Sequence, residues 1–161
     1  MNRLPPLMTR ATPVLYVTHS MAEVARLATT LVVVEAGRTI AHGPAQELLA
    51  DPELAPFLGL HEAGATLSAR LAAQEADGLS RLETAAGPLW LPRLEAPVGT
   101  AFRIRIAARD VILSRHRPEG LSALNILPGI VERIEPEPGG RAFVRLRMGR
   151  EAVLARLTQR S

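Results

Sequence analysis

Apolar residues in this chain come in short bursts between turn-forming residues, and the period of those bursts changes once along its length. Residues 14–17 (Val-Leu-Tyr-Val) form an apolar run closed by Thr18-His19, which predicts a short buried strand. Ser20 follows as a helix N-cap, and Glu23 three positions on completes a capping box ahead of Val24, Leu27 and Ala28. Residues 31–35 read as a second strand, Ala36-Gly37-Arg38 as a tight turn and residues 39–41 as the returning strand. His42-Gly43-Pro44 then ends that strand, and Pro44 suits the first turn of a helix through Glu47, Leu48 and Leu49. Asp51 and Pro52 open one more short helix, through Phe57 and Leu58.

Around residues 59–64 the helical signal gives way to strands. Residues 66–74 predict a strand, Asp77-Gly78 a hairpin turn, residues 79–84 the return, and Gly87-Pro88 a turn before residues 89–91. Pro92, Pro97 and Gly99 punctuate the approach to a strand at 101–107. Residues 126–134, 141–148 and 152–157 complete the series, with a turn at 136–140. Short strands at this spacing predict a small β-barrel rather than a βαβ unit. The division expected is therefore an α/β segment over residues 1–60 and a mostly β, small-barrel domain over 61–161. The barrel reads as unfinished at Ser161, and an unclosed barrel leaves an unpaired edge and exposed apolar surface. The expectation is a chain of marginal stability by itself.

Composition narrows the function classes. With 161 residues, 47% of them hydrophobic, the chain can bury a core, and no apolar run reaches the length of a membrane span. It has no cysteine, and its histidines, at 19, 42, 61 and 116, show no ligand spacing, so no metal site is assigned. Charge is uneven: seven arginines face ten acids in residues 1–100, and twelve arginines face six acids in 101–161. A basic half could meet a polyanion. Its arginines alternate with apolar residues, however, as in Phe102-Arg-Ile-Arg-Ile106 and Val144-Arg-Leu-Arg-Met148, the period of a strand with one wet face. Aromatic stacking platforms are scarce, with Phe102 and Phe143 alone in that half, so nucleic acid is not the expected partner.

His19 carries the first candidate chemistry. In an open α/β sheet, ligands sit beyond the carboxyl ends of the strands, where a ring fixed between strand and helix can touch them. The other reading is a satisfied histidine at a strand–helix junction. The ordered run from Tyr-Val-Thr-His-Ser through Val-Val-Val-Glu-Ala-Gly-Arg-Thr-Ile-Ala-His-Gly-Pro-Ala-Gln-Glu-Leu resembles the end of an ABC-transporter ATPase domain, over residues 14–58. That resemblance gives His19 the role of the switch histidine, which contacts the γ-phosphate of ATP and helps position the attacking water. It also implies Mg, a second copy of the ATPase subunit, membrane permease subunits and, indirectly, a periplasmic oxyanion-binding protein, at the cytoplasmic face of the bacterial inner membrane. All 19 basic residues are arginine, so a phosphate-binding loop with its lysine is absent, as are a signature segment and an Asp-Glu strand. In the family these precede the switch histidine. The expectation is a fragment, or a gene begun too late, with residues 1–12 on the connection before the first strand and no ATP hydrolysis by the chain alone.

The second half points toward a substrate. Phe102-Arg-Ile-Arg-Ile-Ala-Ala-Arg-Asp-Val resembles the strand and corner of accessory β-domains in ABC importer ATPases. Leu121-Ser-Ala-Leu-Asn-Ile-Leu-Pro-Gly-Ile-Val131 resembles the oxyanion-binding, OB-like TOBE/Mop domain of molybdate importers and storage proteins. The resemblance makes Ser122 and Asn125 the candidate oxyanion turn, with molybdate as a regulatory ligand; charge-assisted hydrogen bonds suit such an anion. The family often has Arg before the Asn, where this chain has Leu124. The other reading of the turn is a capped connection between strands. Alternatives to molybdate import are importers of sulfate, iron, polyamines or sugars, and a free-standing, non-enzymatic oxyanion-binding module.

Overall fold

A computed structural model describes residues 13–59 and 63–161. The connection expected over residues 1–12 lies outside the described residues. The fold is mostly β, built of three antiparallel sheets with short helices at one end. Helix α1 (Met21–Leu27) leads into a hairpin of β1 (Thr30–Glu35) and β2 (Arg38–Pro44), followed by α2 (Ala45–Leu49) and α3 (Ala55–Leu58). A four-stranded sheet follows, in the order β5-β4-β3-β6, from β3 (Gly64–Gln74), β4 (Leu79–Thr84), β5 (Gly87–Pro92) and β6 (Ala101–Ala107). After a 3-10 turn (Ala108–Asp110) and a loop over 111–129, β7 (Ile130–Glu137), β8 (Arg141–Met148) and β9 (Glu151–Thr158) form the third sheet in chain order.

Turn chemistry explains the hairpins. Gly37, Gly78, Gly139 and Gly140 hold positive φ angles of 73–86° at the β1–β2, β3–β4 and β7–β8 turns, a region open to glycine at little cost. Gly149 is confined for a second reason: a Cβ there would sit 2.4 Å from the Ala85 carbonyl oxygen. The β8–β9 turn thus packs backbone to backbone on the end of the four-stranded sheet.

The core has several centres. Val24, Val33, Leu49, Leu54 and Leu58 pack the helices on the hairpin. Leu67, Leu71, Leu82 and Leu89 of the four-stranded sheet pack against Met148 and Val153 of the third. Ala55 of α3, Ala63, Ala108, Phe143 and Leu154 form a small cluster joining these regions. Leu67, Leu71, Leu82 and Leu154 are 0% exposed, and each such side chain contributes about 1.5–3 kcal/mol relative to an exposed one. In the third sheet, Arg156 and Glu137 form an ion pair with side chains only 11% and 7% exposed, and the guanidinium lies 5.5 Å from the Phe143 ring centroid.

Several expectations need correction. Residues 14–17 form no strand, and all four side chains are exposed, Leu15 by 92% and Val17 by 89%. A strand exists only through its neighbours, and no described residue pairs with this run. β2 does not stop at His42 but continues through Pro44, paired with Thr30. Asp51 caps no helix; its carboxylate accepts from the Glu53 amide, and α3 starts later, at Ala55. β7 begins at Ile130 rather than 126, since Asn125 and Leu127 pack against the β5 side of the molecule instead of pairing with β8. The mostly β, OB-like class expected for the second half holds, although the two large sheets remain separate and do not close into a barrel.

Candidate functional site

The His19 segment is built by the start of α1. Ser20 is the N-cap, its backbone extended and its hydroxyl accepting from the Glu23 amide at 3.4 Å. The Glu23 carboxylate does not return to the Ser20 amide as a capping box requires. It accepts from the Thr18 hydroxyl at 2.6 Å and the Tyr16 hydroxyl at 3.2 Å, while the Ser20 amide donates to Thr18 Oγ1 at 3.0 Å. The Thr18 hydroxyl bond is the main cause holding the Glu23 carboxyl below its ordinary range, and that same carboxylate pushes the Tyr16 phenol above its own. Three side chains therefore brace the loop from both sides of His19, and the His19 ring is exposed at its crest. It is free to meet an anionic group from outside this chain, and the chain itself holds no lysine to meet a phosphate beside it.

At its other end α1 is held by the β-rich half. Arg103 of β6 donates to the Ala28 carbonyl at 2.6 Å and the Ala25 carbonyl at 3.4 Å. Arg145 of β8 does the same for α2, donating to the Ala50 carbonyl at 2.8 Å and the Glu47 carbonyl at 3.2 Å. Guanidiniums at helix C-termini satisfy orphan carbonyls and complement the helix dipole. The alternating arginines thus do sit on the wetter strand faces, as their period implies, but these two are tied to helix ends rather than free. Arg147 pairs with Glu132 at 2.9 Å.

The turn at 121–125 divides its two candidates. Ser122 is exposed, in a bend without regular structure. Asn125 is engaged: its Oδ1 accepts from the Trp90 amide at 2.8 Å, and its Nδ2 donates to the Trp90 carbonyl at 2.9 Å. A side-chain amide carries two N–H donors, so one remains for another partner. Asn125 also lines a hollow of about 720 Å³ on the loop over 111–129, and Ser122 does not. The bracket on Trp90 was not readable from sequence, because the two residues lie 35 positions apart. Among the described residues, no group of three His, Asp or Glu side chains is placed to hold a metal ion, and no helix is long and apolar enough to cross a membrane.

Comparison with known proteins places these features in context. Residues 121–161 match the TOBE domain family. Over 151 residues, 92% of its length, the chain is 50% identical to the molybdenum import ATP-binding protein ModC of Methylococcus capsulatus, covering 42% of that protein. Proteins of the same description from Mesorhizobium japonicum and Albidiferax ferrireducens are 42% and 45% identical over 150 residues, again 92% of this chain and 40% of each relative. The chain spans about two fifths of the length of these relatives. The resemblance read at residues 14–58 and 121–131 is borne out.

Proposed function

We propose that this sequence is the part of a molybdate importer's ATP-binding subunit that carries the switch histidine and an accessory β-domain. The similarity to molybdenum import ATP-binding proteins over 92% of the chain carries the reading. On this reading residues 1–60 belong to the ATPase domain and 61–161 to the regulatory β-domain. The exposed run at 14–17 is then a strand that pairs within a sheet supplied by the rest of the subunit. Permease subunits, a second ATP-binding subunit and, indirectly, a periplasmic oxyanion-binding protein are the partners, at the cytoplasmic face of the inner membrane.

ATP, with Mg, supplies the phosphoanhydride whose cleavage drives transport. The chain's own residues fit one part of that task, an exposed imidazole on a braced loop. His19 faces the terminal phosphate and orients water toward it; Thr18, Tyr16 and Glu23 are positioning residues that fix the loop. Ser122 and Asn125 belong to the oxyanion turn, where molybdate acts as a regulatory ligand.

Reading the DNA upstream of codon 1 in the same frame tests the assignment. A Gly-rich loop with its lysine, a signature segment and an Asp-Glu strand are expected there. A genuine stop codon and promoter would make this a separate small protein, with oxyanion binding as its remaining activity. In the intact subunit, His19→Ala is expected to reduce ATP turnover by about 100-fold or more, the scale of a lost catalytic group, while nucleotide binding changes little. Undiminished turnover would remove the role from His19.

A further inference from the structure

Helix α1 is held by the two halves of the molecule in different ways. Its buried side chains, Val24 and Ala25, belong to a cluster drawn entirely from the helices and hairpin at residues 21–58. The tie from β6 is polar. A cleft of about 1170 Å³ is lined from both sides, by Arg26 of α1 and Gln46 of α2 and by residues of β3 and β6, and the Arg103 side chain reaches from β6 to the carboxyl end of α1. One of its guanidinium nitrogens donates to both the Ala28 and the Ala25 carbonyls, groups that a helix end leaves without an internal partner. A helix of seven residues is about 10 Å long and too short to persist by itself, so its ends and its packing decide its order. At the amino end the Glu23 and Val24 amides donate to the Ser20 carbonyl at 3.1 and 3.0 Å. The Glu23 carboxylate reaches back past His19 to the Thr18 and Tyr16 hydroxyls. An unbroken run of contacts thus leads from β6, through two turns of helix, to the loop that carries His19.

We propose that Arg103 is a positioning residue for His19, fixing through α1 where the histidine loop stands. The inference rests on the reading of His19 as the group that faces the terminal phosphate, and deepens it by giving β6 of the accessory domain a share in that placement. An imidazole that directs water works only within a narrow range of positions, and a displacement of about 1 Å costs about 100-fold in rate. Arginine suits the task because its charge complements the carboxyl end of the helix dipole and its donors serve more than one carbonyl. Lysine keeps the charge and the donors on a flexible stem, whereas glutamine loses the charge and some of the reach. The apolar cluster under α1 contains no part of Arg103, so removing the guanidinium frees the helix end without opening a core.

Two measurements test it. In the whole chain, Arg103→Gln is expected to quicken amide exchange at Glu23 and Val24 about tenfold while β3 and β8 keep their protection. Arg145→Gln, which frees α2 instead, is expected to leave those two amides within about twofold. In the intact subunit, Arg103→Gln is expected to lower kcat for ATP about tenfold with KM within about twofold, and Arg103→Lys to recover most of the loss. In a His19→Ala background the same Arg103→Gln change should alter turnover by less than about twofold, because a residue that acts through His19 has nothing left to place. Thermal melts guard against misfolding, and Arg103→Met, with the length but no donor, repeats each comparison. Unchanged exchange at Glu23 and Val24 overturns the proposal, as does equal loosening by Arg145→Gln, the mark of a general slackening between the halves. A loss of turnover that persists in the His19→Ala background also overturns it, since Arg103 would then act by another route. If His19→Ala leaves turnover undiminished, the reading of His19 falls and the inference with it. If His19→Ala removes turnover and Arg103→Gln does not lower it, the inference alone falls.

Discussion

Replacing Asn125 by alanine probes a contact that joins the candidate turn to the sheet edge. β5 is the outer strand of the four-stranded sheet, and its edge away from β4 has no strand partner. Trp90 is paired with Arg81 of β4, yet its N–H and C=O both go to Asn125, so this is a position whose polar groups point outward. By alternation, residues 88 and 92 point the same way, and both are proline, with no N–H to leave unpaired. Trp90 carries the one outward N–H on β5, and Asn125 covers it. Asn125→Ala removes two hydrogen bonds, each worth a net 0.5–1.5 kcal/mol or about 1 kcal/mol on average. Water reaches this exposed bracket, so the low half of the range applies and the expected loss is about 1–2 kcal/mol. For a chain of this size that lowers Tm by about 3–6 °C. Urea denaturation measures the loss, and amide exchange at Trp90 locates it. Asn125→Asp should lie between, since it keeps an acceptor for the N–H but opposes the Trp90 carbonyl with a charge. Unchanged stability together with an unchanged Trp90 exchange rate would refute the argument, because the bracket would then protect nothing.

Other expectations follow from the same geometry. Glu137→Gln leaves the Arg156 guanidinium buried without its counter-charge and should cost about 3–5 kcal/mol by urea denaturation, whereas replacing both residues by apolar ones of similar volume recovers most of it. A single-variant loss below about 1 kcal/mol would show that water reaches the pair. Arg145→Gln releases the carbonyls of Glu47 and Ala50, so amide exchange in α2 should quicken while the third sheet keeps its protection. The brace around His19 has its own pH signature. Because the Glu23 carboxyl is held below its ordinary value of about 4.3, the stability it adds is present above that pH and is lost as pH falls through the lowered value. The Tyr16 phenol, raised by the same carboxylate, loses its share only as pH rises beyond about 10. Order at the start of α1, followed by NMR, should therefore fail in acid before the sheets melt, and Glu23→Gln should abolish that early step.

The sequence alone determined what local rules determine. Alternation placed Arg103 and Arg105 outward on β6, with Phe102, Ile104 and Ile106 half-buried behind them, because a pleated strand has a period of two. Gly37, Gly78, Gly139 and Gly140 marked the hairpin turns, because only such residues take their φ angles freely. Ser20 marked the start of α1, and the linear order around His19 and at 121–131 carried the resemblance to molybdate importers. Tertiary structure decided whatever depended on a partner far along the chain. Residues 14–17 have the composition of a strand, but pairing makes a strand, and none reaches them among the described residues. The Glu23 carboxylate had two sets of donors in reach and took the Thr18 and Tyr16 hydroxyls. Asn125 spends half of its hydrogen-bonding capacity on Trp90, and Arg103 and Arg145 hold helix ends 75 and 95 residues away. Periodicity records which side of an element is wet; which distant group waits on that side is set only when the chain closes on itself.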